Sequence, residues 1–167
     1  MNKLYWSEVF FAELISERDN WLKEECSYTS ASLLSVAKSS NWLKAALTKD
    51  VNFLKHKNDL CQLSPSYILD KVFGIDFLVT FELENEVYTY GIDVTSNKDA
   101  FENKLYKANS ASRKQIRSKL GLDGFLVVGI SLAFDFYSAC SKRELNYIAA
   151  CIEQAVVTGK SSVWVEK

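Results

Sequence analysis

Two apolar runs constrain this chain more than any other feature: Gly74-Ile75-Asp76-Phe77-Leu78-Val79 and Gly91-Ile92-Asp93-Val94-Thr95. Each reads as a strand, and each holds one carboxylate among Ile, Phe, Leu and Val. Strands are depleted in Asp, and an ionised carboxylate in apolar surroundings is costly unless it is paired or bound to a metal. The residues between the runs, Glu82 to Glu86, are polar and acidic, with Asn85 at the expected turn. Side chains alternate along a strand, so Phe77, Val79 and Phe81 share one face and Asp76, Leu78 and Thr80 the other. Asp93 and Thr95 likewise share a face. A hairpin with matching faces sets Asp76 beside Asp93. For either aspartate alone, a turn cap or a strand end is the ordinary explanation. The pair in this order points to a divalent cation held by oxygen ligands.

The order Gly-x-Asp, hairpin, x-Asp-x resembles the PD-(D/E)XK nuclease superfamily, whose members share the restriction-endonuclease-like fold. The resemblance spans about Tyr67 to Leu132, with the first helix in addition. The first motif acid falls on Asp76 and the second on Asp93. It implies an α/β fold with an αβββαβ core and a Mg²⁺ or Mn²⁺ ion held by Asp76, Asp93 and a backbone carbonyl near Val94. It implies cleavage of phosphodiester bonds in DNA. The family expects a lysine two residues after the second acid, where this chain has Thr95. A threonine hydroxyl can hydrogen-bond a water or a phosphate oxygen, but it brings no positive charge. Lys98 and Lys104, on the following helix, are the candidates to replace that lysine. The family also often carries an acid on its first helix. Here that helix is expected from Ser7 as N-cap, with Glu8, Glu13 and Glu17 on it. Glu13, beside the apolar stripe Phe10, Leu14 and Trp21, is the expected inward-facing acid.

Charge distribution adds to this. The net charge is −1, which by itself predicts no polyanionic partner. Yet from Asn103 to Leu122 there are six basic residues and no acidic one. Lys107, Arg113, Lys114 and Arg117 are the expected phosphate contacts. His56 is the sole histidine, which counts against histidine-based nucleases, Ser-His-Asp hydrolases and His-rich metal sites. Cys26, Cys61, Cys140 and Cys151 are scattered without zinc-site spacing, and read as reduced thiols of a cytoplasmic protein. No run is long and apolar enough to span a membrane, and no secretory signal pattern opens the chain.

The length, 167 residues, suits one domain with a substantial core. Residues 1–60 are expected to be mainly helical, with a break at Ser39-Ser40-Asn41. Pro65 is expected to open extended chain, so that Tyr67-Ile68-Leu69 begins the strand region of a nuclease-like core over 66–132. A single helix is expected from Ser96 or Asn97 to about Leu120, ended by Gly121, followed by a buried strand over Phe125–Leu132. Ser141-Lys142-Arg143-Glu144 is a capping-box sequence opening a C-terminal helix over 141–158, and Ser162–Val165 reads as a terminal edge strand. The resulting expectation is a metal-dependent DNA endonuclease acting as a homodimer. The alternatives are a non-catalytic DNA-binding or assembly protein on the same fold, and a protein-interaction module of a mobile-element or defence system.

Overall fold

Glu84 and Asn85 both take positive φ, 53° and 66°, the two-residue turn whose twist matches that of paired strands. It joins strand β2 (Phe77–Leu83) to β3 (Glu86–Thr95) in the expected hairpin. The computed structural model describes residues 6–24, 28–131 and 141–166. Around the hairpin it builds a mixed five-stranded sheet in the order β1-β2-β3-β4-β5. Strand β1 (Trp21–Lys23) pairs antiparallel with β2. Strand β4 (Gly124–Ile130) runs parallel to β3, and β5 (Ser162–Val165) parallel to β4 at the sheet edge. The fold is therefore mixed α/β.

Each face of the sheet has its own core. Phe77, Val79, Ile92, Leu126 and Ile130 pack on one face against Phe11 and Leu14 of α1 (Trp6–Ser16) and against Ile148 and Ile152 of α8 (Lys142–Val157). Ile75 and Leu78 lie in the other core, among helices that sit between β1 and β2 in the chain. These are α2 (Ser30–Ala37), α3 (Asn41–Lys49), α4 (Val51–Lys55) and α5 (Pro65–Lys71). Leu33, Phe53, Ile68 and Phe73 fill that core, and Ile116 and Leu120 close it. A fully buried Leu, Ile or Phe contributes about 1.5–3 kcal/mol, so both layers have the apolar content to hold the hairpin rigid.

The structure corrects several expectations. Tyr67-Ile68-Leu69 is helical, not strand. Ser64 caps α5 by accepting from the Tyr67 N–H at 3.2 Å, and Pro65 takes the first helical position, where its missing N–H costs nothing. The first strand of the antiparallel trio is instead the three-residue β1. The extra helices are thus inserted between β1 and β2 rather than all placed ahead of the sheet. The basic segment is two helices, α6 (Lys98–Ala108) and α7 (Ala111–Leu120), each with its own cap. Asn97 Oδ1 accepts from the Ala100 N–H at 3.0 Å, and Ser110 Oγ from the Arg113 N–H at 3.3 Å. Ser7 lies buried inside α1 rather than capping it, and Trp21 belongs to β1. Gly121 ends α7 with φ 70°, and Ser141 caps α8 by accepting from the Glu144 N–H at 3.1 Å, both as expected. Cys61 and Cys151 are free thiols, while Cys26, Cys140 and Leu132 lie outside the described residues. No helix among the described residues is long and apolar enough to cross a membrane.

Candidate metal centre

Asp76 sits one residue ahead of β2, at the mouth of the hairpin. Its N–H donates to the Ile92 carbonyl at 2.8 Å, which continues the ladder in which Phe77 faces Ile92. The same register sets Asp76 opposite Asp93. The Asp76 Oδ2 accepts the Val94 N–H at 2.9 Å. Burial first, and then the neighbouring Asp93, push Asp76 up to about 9 from the usual 3.8. Both effects favour the protonated form of this carboxyl in the metal-free protein. Backbone alternation puts the Val94 carbonyl on the same strand edge as its N–H, past the end of β2.

Of the two candidate lysines, Lys104 reaches this pair. Its Nζ lies 2.5 Å from Asp93 Oδ1. Burial disfavours the ammonium, but Asp93, followed by Asp76 and Asp70, raises the Lys104 pKa overall. Lys98 goes elsewhere: its Nζ stacks 4.3 Å from the Trp164 ring centre and 5.4 Å from that of Phe101. Lys104 is one turn beyond Phe101, and Ala108 another turn on, so it projects from the side of α6 that meets the sheet. Thr95 is buried, and its Oγ1 accepts the Asn97 N–H at 3.1 Å. The hydroxyl shapes the turn that feeds α6.

Glu13 is exposed on α1, away from the pair. Glu8 is the acid of that helix with access to it. It is half-buried, and its pKa is raised by burial first and then by Asp70, with Lys104 opposing and Asp93 adding. The spacing Glu8, Phe11, Ile15 puts Glu8 on the buried side of α1, a signal present in the sequence.

Arg113 is likewise not the surface residue that its charge implied. It is only 9 % exposed. Its guanidinium carbon stands 4.5 Å from the Trp42 ring centre and 5.6 Å from that of Phe125. Burial lowers its pKa to about 10, against the opposing pull of Asp93. Asp93, Lys104, Arg113, Trp42, Phe125 and Lys107 line a common cavity of about 400 Å³. Lys107, Lys114 and Arg117 are exposed on α6 and α7.

The donor set suits a hard cation of limited demand. Among the described residues no group of three or more His, Cys, Asp and Glu side chains is disposed to hold a metal. Magnesium commonly takes only one or two carboxylates and completes its shell with water and substrate phosphate; Asp76 and Asp93 are two carboxylates side by side at the hairpin mouth. Comparison of the chain with protein-family models, with curated proteins and with solved structures finds no match.

Proposed function

We propose that this protein is a Mg²⁺- or Mn²⁺-dependent endodeoxyribonuclease of the restriction-endonuclease-like kind. One observation carries the reading: the adjacent carboxylates Asp76 and Asp93 at the hairpin mouth, with the Lys104 ammonium 2.5 Å from Asp93. In this reading Lys104 brings the positive charge that Thr95 lacks. The order of elements supports it as well. Helix α1, the antiparallel trio β1 to β3, the α6–α7 crossover and β4 parallel to β3 follow the αβββαβ order, with α2 to α5 as an insertion.

Asp76 and Asp93, with the Val94 carbonyl, would hold the cation, which supplies Lewis-acid polarisation of a phosphate oxygen and a lowered pKa for the attacking water. Lys104 stabilises the negative charge that develops on the phosphate. Glu8 borders the same centre. Lys107, Lys114 and Arg117 hold the DNA backbone through charge, and a two-fold homodimer fits the symmetry of duplex DNA.

The test is cleavage of duplex DNA in Mn²⁺ by the parent protein and by Lys104→Ala. The variant should bind DNA as before and cut about 10²–10³-fold more slowly, the loss typical of a transition-state contact. Equal rates would remove Lys104 from the mechanism. DNA binding without cutting by the parent would favour the second reading, a non-catalytic DNA-binding protein, to which Thr95 at the usual lysine position lends support.

A further inference from the structure

The metal centre leaves the buried guanidinium of Arg113 unexplained. Its Nε has no hydrogen-bond partner, and no ion pair is made to it among the described residues. An uncompensated buried charge is costly, yet the fold makes room for this one. Gly74, with φ 66°, is where α5 turns into the hairpin. A Cβ on Gly74 would overlap the guanidinium, so glycine there serves both the left-handed turn and the seating of Arg113. The Trp42 and Phe125 rings hold the guanidinium by cation–π attraction. Arg113 lines the cavity shared with Asp93 and Lys104.

The charges around that cavity do not cancel. Asp93 is engaged by Lys104, and Asp70 lies 3.8 Å from Lys71. Asp50 caps α4 and accepts the Tyr67 hydroxyl. Lys49 and Lys107, also on the cavity wall, have no ion-paired carboxylate among the described residues. The basic side chains on the wall thus outnumber the acidic ones, and Arg113 is the buried one among them. A planar guanidinium with free donors matches phosphate in a bidentate fork.

We infer that this cavity is a subsite for the terminal phosphomonoester of a nucleic-acid strand, seated on Arg113 beside the metal centre. A volume of about 400 Å³ lies at the low end of small-molecule sites. It admits the end of a strand, whereas an internal phosphate is tethered to nucleotides on both sides. A terminal phosphate also carries about −1.5 to −2 charge at neutral pH, which matches a wall lined by five basic and three acidic side chains. The nucleic-acid origin of the phosphate rests on the proposed nuclease reading; the anion site itself does not.

The experiment measures equilibrium binding, without divalent cation, of a short labelled duplex bearing 5′-phosphate, 3′-phosphate or only hydroxyl ends. One phosphorylated duplex should bind about 10-fold or more tightly than the hydroxyl-ended one, as a charge-assisted bidentate contact would give, and which one it is fixes the polarity of the bound strand. Arg113→Gln should erase the preference. Lys107→Gln, a change at an exposed position that leaves the core intact, should reduce it. Equal binding of all three duplexes by the parent, or an undiminished preference in Lys107→Gln and in folded Arg113→Gln, overturns the inference even if the protein cuts DNA in Mn²⁺. An end preference in a protein that never cuts would sustain the inference and defeat the nuclease reading.

Discussion

Replacing Asp76 by asparagine should make the metal-free protein more stable, and only at higher pH. The Asp76→Asn substitution is nearly isosteric. The new amide oxygen can still accept the Val94 N–H, now met by Asp76 Oδ2, and the amide nitrogen can donate to Asp93. The parent carboxyl titrates near 9 folded and near 3.8 in an open chain. Between those values the folded state binds the extra proton, so stability falls as pH rises. The contribution is fully present below about pH 4 and is lost as pH climbs towards 9. Each pH unit climbed in that window costs the parent at most about 1.4 kcal/mol. The carboxyl keeps an edge towards solvent, which screens this penalty, so a gain of about 2 kcal/mol is expected. For a chain of this length that is about 4–8 °C in melting temperature. Thermal unfolding of both proteins in chelator at pH 5 and pH 8 is the assay. The variant's advantage should be small at pH 5 and grow towards pH 8. A variant no more stable at pH 8, or stabilised equally at both pH values, would refute the burial argument for Asp76.

Other outcomes follow from the same geometry. Lys98→Ala should leave DNA cleavage within a fewfold of the parent rate, because Lys98 stacks on Trp164 rather than on the carboxylates; steady-state rates in Mn²⁺ decide. Glu8→Gln should change the metal dependence of cleavage while Glu13→Gln leaves it unaltered, since Glu8 is half-buried with Asp93 and Lys104 acting on its carboxyl and Glu13 is exposed; cleavage rate against Mg²⁺ concentration reads this out. The double variant Lys114→Ala with Arg117→Ala should weaken DNA binding for all sequences and flatten the slope of log K against log salt by roughly 1.8, the share of two phosphate contacts. An unchanged salt slope would return those residues to the role of solvated surface.

The hairpin and its two aspartates were legible in the sequence because three local signals agreed. Alternation set the faces, Asn85 set the turn, and the turn set the register that pairs residue 76 with residue 93. Helix α8 was legible for a similar reason, its capping sequence preceding a stripe at helical spacing. Strand β1 was not, because three residues are too few to show alternation, and its pairing with Phe81, Thr80 and Val79 is long-range. Helix α5 is hidden in the sequence because Tyr67-Ile68-Leu69 has strand-like composition, and a proline marks a helix start as readily as a break. Arg113 was misplaced for a different reason. Its charge argued for the surface, while its spacing to Ile116 and Leu120 put it on the buried stripe of α7. Spacing prevailed because Trp42, Phe125 and the absent side chain of Gly74 provide a stacked slot, and no local pattern in the sequence announces those partners.

The most direct measurement of the central claim is calorimetric titration of Mn²⁺ into the parent protein, with Asp93→Ala as the control. The account predicts a saturable site in the parent that disappears in the variant while the variant's fold persists, since removing one carboxylate also relieves the crowding of two. Absence of saturable binding in the parent, or the same binding in Asp93→Ala, would contradict the assignment of Asp76 and Asp93 as a metal centre.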